Sequence, residues 1–182
     1  DAAFIFYWIG FNAIYAEGGK QHKLEEPGHR NRIKGNPALV KYFGKVVTLD
    51  TDARIYSAIW NKYAGPIRVL LNNKYVFEPF WKHHNRRPGN KDWEIQFKKS
   101  LGRVKYALKN KETEVLLSIL FSRLYVLRNQ LIHGGATWAS IVNRDQVRDG
   151  TEIMSFILPL LIDIMMDNPD KAWGKYHYPV VE

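Results

Sequence analysis

Around residue 130 the chain reads Arg128-Asn129-Gln130-Leu131-Ile132-His133, followed directly by Gly134-Gly135. A guanidinium, an amide and an imidazole close an apolar run. Helical residues advance by about 100° each, so Asn129 and His133, four apart, stack on one side with Arg128 beside them. Tyr125 stands one turn earlier and Arg123 further back. A guanidinium holds phosphate in a forked pair of hydrogen bonds and stabilises charge that develops in a transition state. Imidazole changes charge near neutrality and moves protons as base or acid. An amide orients either group. The set suits phosphodiester chemistry. It also admits a structural account: cations at a helix C-terminus meet the macrodipole favourably, and Asn129 can satisfy a neighbouring backbone.

These groups need a long helix to carry them. Val115, Leu116, Ile119, Leu120, Leu124, Leu127 and Leu131 recur at helical spacing from about Glu112 to His133, and Gly134-Gly135 supplies a left-handed cap. Residues 1–16 read as an aromatic-rich helix buried on most sides and ended by Gly18-Gly19, with Asn12 as a buried amide satisfied by another helix. Residues 18–36 read as a long basic loop. Pro37 suits the first turn of a short helix to about Val47. Asp50, Thr51 or Asp52 caps the next, with Ile55, Ile59, Trp60 and Tyr63 inward and a break or kink at Gly65-Pro66.

Residues 72–91 read as a second irregular stretch. Asp92 caps a helix to about Leu108 that turns Ile95, Phe97, Leu101, Val104 and Leu108 inward, and Asn110-Lys111 makes the turn. Asn143 caps the last helix, with Ile153, Phe156, Ile157, Leu160, Leu161 and Ile164 on its apolar face and a kink at Pro159; an irregular tail starts at Asn168. Strand alternation and internal repeats are lacking. The expectation is one all-α domain over residues 1–182, a bundle of five or six helices.

Composition narrows the partners. The 182 residues are 46% hydrophobic, enough for a core and unlike a disordered chain. Lys and Arg number 27 against 18 Asp and Glu, a net charge of +9, which favours a polyanion such as RNA or DNA, or reflects a generic basic surface. The absence of cysteine excludes disulfides, thiolate catalysis and cysteine metal sites. The apolar run Ile153 to Met166 is too short to span a bilayer, and residues 1–16 lack a leader pattern, so a cytoplasmic protein without a membrane partner is expected. Asp1 already lies inside a helical pattern, which fits a piece of a longer chain.

Two basic clusters accompany the motif. Lys20, Lys23, His29, Arg30, Arg32 and Lys34 form one; Lys82, His83, His84, Arg86 and Arg87, flanked by Trp81 and Trp93, form the other. Cations interleaved with rings suit single-stranded RNA; a solvated loop is the alternative. Arg144 and Arg148 either point toward the motif or bridge to Asp145 or Asp149. His83-His84 without nearby carboxylates is a poor metal signature, and no metal or cofactor is expected.

Arg128 and His133, with four residues between them and a polar residue directly after the Arg, resemble the R-x4-6-H signature of the HEPN superfamily. The string YVLRNQLIHGGATW (Tyr125 to Trp138) is similar to the Apea-like and related bacterial members, as are WIGFNAIYA (Trp8 to Ala16) and NRDQVRDG (Asn143 to Gly150). The resemblance implies a helical bundle that usually dimerises. It implies a metal-independent endoribonuclease with a toxin, phage-defence or RNA-processing role, whose two motif copies build one composite site across a homodimer. Arg128, Asn129 and His133 would then be catalytic, Arg144, Lys82, Arg86 and Arg87 would bind RNA, and an antitoxin or defence-system protein would be a partner. Other members have lost activity and serve as binding or assembly modules. Some members carry Tyr two residues after the His, modified to silence them; here that position is Gly135, which argues against such control.

Overall fold

The central helix is surrounded almost completely. In the computed structural model, which describes residues 1–15, 36–133 and 143–173, eight α-helices are found among the described residues and no strand. They are α1 (Ala2–Tyr15), α2 (Pro37–Leu49), α3 (Arg54–Ser57), α4 (Ala64–Asn72), α5 (Glu78–His84), α6 (Trp93–Asn110), α7 (Thr113–Ile132) and α8 (Arg144–Met166). The chain is thus all-α, with more helices than the expected five or six. Gly18-Gly19, the Lys20 to Lys34 cluster, Gly134-Gly135 and Trp138 lie outside the described residues.

Helix α7 is the hub. Thirteen of its 20 residues are buried, so it is covered on nearly every side. It is the one described helix long and apolar enough to cross a membrane, and the bundle covers two thirds of that apolar stretch. Phe121 of α7 meets Phe11 of α1 at 4.3 Å and Phe43 of α2 at 4.9 Å between ring centroids, and Trp8 adds to the cluster. Such ring pairs contribute about 0.5–1.5 kcal/mol each beyond their buried area. Helices α1 and α7 run antiparallel: Phe11 sits at Phe121, and Trp8 at Tyr125, 5.9 Å between centroids. Gly150 of α8 fits where these helices meet. A Cβ there would stand 3.0 Å from Leu124 and 3.1 Å from Phe4, both fully buried. Gly150→Val is therefore expected to destabilise by about 1–3 kcal/mol, read as a lower midpoint in urea; an unchanged midpoint would show that these two side chains can move aside.

Several sequence expectations need correcting. Helix α1 buries a single stripe (Phe4, Trp8, Phe11, Tyr15); Phe6 and Ile9 are 70% and 57% exposed, and Asn12 is exposed rather than a buried amide. Asp50 does serve the next helix, but its carboxylate accepts at 2.7 Å from the N–H of Ile55, the second residue of the helix, across the N-cap position held by Ala53. Residues 58–62 then widen into a π-turn, with the Tyr63 N–H bonded to the Ala58 carbonyl. The stretch 72–91 is not wholly irregular, because Lys74–Val76 form a 3-10 turn and Glu78–His84 form α5 with Pro79 in its first turn. Asn143 and Asp92 occupy N-cap positions without capping; their side chains bond Gln130 and Gln96 instead.

Helix α6 shows the largest departure. Its buried stripe is Gln96, Ser100, Val104 and Ala107, while Ile95 is 55% exposed. The register follows a polar demand. Arg123 of α7 is fully buried, and it donates to the Ser100 hydroxyl at 3.0 Å. Its guanidinium carbon lies 4.4 Å from the centre of the Phe77 ring and 5.7 Å from that of Phe97. Helix α8 runs on through Pro159, whose ring faces solvent.

Candidate functional site

Helical geometry places Ser122, Tyr125, Asn129 and His133 within about 80° of one another on α7. All four are half-buried or exposed, whereas the rest of the helix is largely covered. On one flank of this strip stands α1, through Phe121 and Tyr125. On the other stand α6 and the 3-10 turn Lys74–Val76, because Arg123 and Gln130 face that way toward Ser100 and the Tyr75 carbonyl. The motif therefore lies on a partly exposed strip of α7 between α1 and α6.

Arg128 leans toward the α1 flank. Its Nη1 donates to the Asn129 side-chain oxygen at 2.9 Å, and no carboxylate among the described residues reaches it. The Nε is buried without a partner. Asn129 thereby fixes the fork while Arg128 keeps donors to spare, the state expected of a guanidinium waiting for an anion. His133 ends the helix; its backbone N–H bonds the Asn129 carbonyl at 2.9 Å and its side chain is exposed. The structure thus joins Arg128 to Asn129 on the final turns of one helix, with His133 one turn beyond Asn129 and about 140° around the helix from Arg128.

The other cations divide. Arg144 is engaged by Asp1, whose side chain is only 3% exposed. Lys82 is turned inward, 3.2 Å from Glu78 and almost wholly buried, so it is placed as an intramolecular ion pair and not as a surface contact for phosphate. Arg148 bridges Asp145 and Asp149, both at 3.1 Å, and these neighbours raise its pKa. Arg86 and Arg87 are exposed, and Arg86 adopts a left-handed backbone, φ 54°. They border a ring cluster in which Phe80 meets His84 at 4.0 Å and Trp93 at 5.0 Å, with Trp81 and Tyr75 edge-on to Phe80. Lys74 lies over Tyr75 and Phe80.

One joint ties this basic aromatic patch to the motif. The Tyr75 carbonyl accepts from Trp81 Nε1 and from Gln130 Nε2, each at 2.6 Å, and the Gln130 oxygen accepts from the Asn143 amide at 2.7 Å. Gln130 precedes the end of α7 and Asn143 opens α8, so the joint sets the motif helix against both α8 and the patch. Sequence reasoning passed over Gln130 and treated Arg123 only as part of the polar strip. A signal was present: Ile119, Arg123, Leu127 and Gln130 form one i, i+4, i+8, i+11 row, so the two polar residues stand in an apolar line. Among the described residues no three His, Asp or Glu side chains converge as a metal site would need.

No family model, curated protein or solved structure matches the chain.

Proposed function

We propose that the chain is a metal-independent endoribonuclease of HEPN type, acting in a toxin, phage-defence or RNA-processing role, with a site completed by a second copy. The observation that carries this reading is Arg128: half-buried, unmatched by any carboxylate among the described residues, and fixed by Asn129, which lies one turn from an exposed His133. In the proposed reaction the RNA 2′-hydroxyl attacks the adjacent phosphorus. His133 takes the hydroxyl proton, the new 2′-O–P bond forms, and the P–O5′ bond breaks. The partner's His133 gives a proton to the leaving 5′-oxygen, so the products are a 2′,3′-cyclic phosphate and a 5′-hydroxyl. Arg128 holds the non-bridging oxygens as their charge grows. The chain's net charge of +9 draws the polyanion in.

The test is incubation with end-labelled RNA in chelator. Cyclic-phosphate ends support the proposal. Binding without cleavage would leave a non-catalytic module that docks RNA, nucleotide or protein, and neither binding nor cleavage removes RNA from the account.

Arg86 and Arg87 are assigned to the flanking strand, with Trp81 and Trp93 as ring partners for unpaired bases. Replacing both arginines by glutamine is expected to weaken single-stranded RNA binding and to lower the slope of log K against log salt by about 1.4, at roughly 0.7 per phosphate contact. Filter binding at several salt concentrations checks this. An unchanged slope would show that the two cations stay in solvent.

A further inference from the structure

Helix α6 carries its charge on one side. Five of its 18 residues are Lys or Arg, and Glu94 is its one acid. At about 100° per residue, Lys98, Lys105 and Lys109 fall within about 40° of one another, on the face opposite the buried Ser100. Lys99 widens that face, and all four lysines are exposed. None is paired with a carboxylate among the described residues, whereas Arg103 is taken by Glu112. Gly102 stands at the centre of the face: Lys98 and Lys99 lie one turn before it, Lys105 and Tyr106 one turn after. A Cβ at Gly102 would meet nothing within 4 Å, so no neighbour in the fold requires a glycine there. Glycine inside a helix costs stability relative to alanine. What it supplies here is a notch among three cations, where a bound backbone can come close to the helix.

We infer that this face seats the sugar–phosphate backbone of a double-stranded RNA segment, so that the substrate is an RNA with a duplex stem beside an unpaired stretch; the choice of RNA among polyanions rests on the proposed nuclease reading. From Lys98 to Lys109 the helix axis advances about 16 Å, room for several phosphates of one strand. Ammonium groups meet phosphate as point charges and carry no base code. Rings are scarce: Tyr106 is the only one among the exposed residues of α6, and the Arg103 guanidinium carbon lies 5.2 Å from its centre. Unpaired bases need rings to stack on, whereas a duplex keeps its bases inside and is held by its shape and backbone. The rings stand at one end of the same helix. Trp93 opens α6 and meets Phe80 at 5.0 Å, so the patch with Arg86 and Arg87 adjoins the first turn of the lysine helix. Paired RNA along α6 thus passes into unpaired RNA at the patch. A lipid surface does not suit this face. A helix lying on a membrane inserts an apolar side, and α6 has Val104 and Ala107 buried in the core, with Ile95 its one exposed aliphatic residue.

Filter binding to a blunt RNA duplex, a single strand and a duplex with an unpaired tail tests the assignment. The measurements use His133→Ala as the reference protein, so that cleavage does not consume the probe. The tailed duplex is expected to bind most tightly. Replacing Lys98, Lys99 and Lys105 together by glutamine is expected to lower the slope of log K against log salt for the blunt duplex by about 2.7, at roughly 0.9 per phosphate contact, and to weaken single-strand binding far less. Gly102→Gln leaves the charge unchanged and favours the helix, but it fills the notch. A several-fold loss of duplex affinity with unchanged circular dichroism is expected. A duplex slope that survives the triple substitution overturns the inference, and so does Gly102→Gln binding duplex as the reference does. Tighter binding of the matching DNA duplex overturns it too, as do lysines that are needed only for flotation with phosphatidylserine vesicles. If the duplex contact holds but the wild-type chain never cuts RNA in chelator, the nuclease reading fails and the α6 face stands. Cleavage without duplex binding does the reverse.

Discussion

His133→Ala is expected to lower metal-free RNA cleavage by about 10²–10⁴-fold, the range for loss of a general acid or base, and Arg128→Ala by about 10²–10³-fold, the range for loss of one donor to a developing oxyanion. Neither change should unfold the protein. His133 is exposed at the end of α7, and Arg128 bonds only its neighbour Asn129 among the described residues. Melting curves should therefore overlay the wild type while the cleavage rate collapses. Arg128→Lys separates charge from shape. It keeps the cation and loses the fork, so partial activity is expected, above alanine and below wild type. Asn129→Ala should fall between, because the guanidinium would lose its anchor but stay in place. If His133→Ala and Arg128→Ala both cut at the wild-type rate, the strip on α7 is not the site of chemistry.

The parts of this fold that could be read from the sequence were those governed by apolar repetition. Helix α7 follows its leucine and isoleucine spacing to within a residue at each end, and Pro37 opens α2 as expected. The failures share a cause. Buried polar groups choose their own partners, and periodicity does not record them. Ile95 promised the inner face of α6, yet Gln96 and Ser100 turned inward in its place, and Ser100 meets the buried Arg123. Asn143 looked like a cap, but the amide of Gln130 was nearer in three dimensions. Helix α5 was invisible because seven residues containing Pro79 and two histidines carry no repeat long enough to recognise. At the site, the Arg128, Asn129 and His133 trio could be read because the three are adjacent in sequence. The Tyr75 carbonyl that unites Trp81 with Gln130 could not be, since its two donors lie 49 residues apart (130 less 81).

Arg123 supports the second large expectation, one of stability. Its guanidinium is wholly buried with no carboxylate among the described residues, and burial pushes its pKa down to about 9. At neutral pH it is still charged. The cost of dehydrating that charge is several kcal/mol, and the Phe77 and Phe97 faces and one neutral hydroxyl return only part of it. Arg123→Met keeps much of the side-chain length and removes the charge, so it is expected to raise stability by about 1–4 kcal/mol, measured by urea unfolding at pH 7. The Ser100 hydroxyl left behind can turn to the carbonyl four residues back.

The pH dependence gives an independent check. With burial holding the folded pKa of Arg123 below its usual value, the unfolded chain binds more protons between the two, and stability rises with pH through that window. Buried Tyr42 acts oppositely, since burial raises its pKa and the unfolded phenol ionises first. Because Tyr42 is common to both proteins, the difference between wild type and Arg123→Met isolates the arginine. That difference should shrink as pH climbs past about 9. A methionine variant less stable than wild type, with a gap independent of pH, would mean that the two rings and Ser100 outweigh the lost hydration and that Arg123 binds α6 to α7 at a net gain.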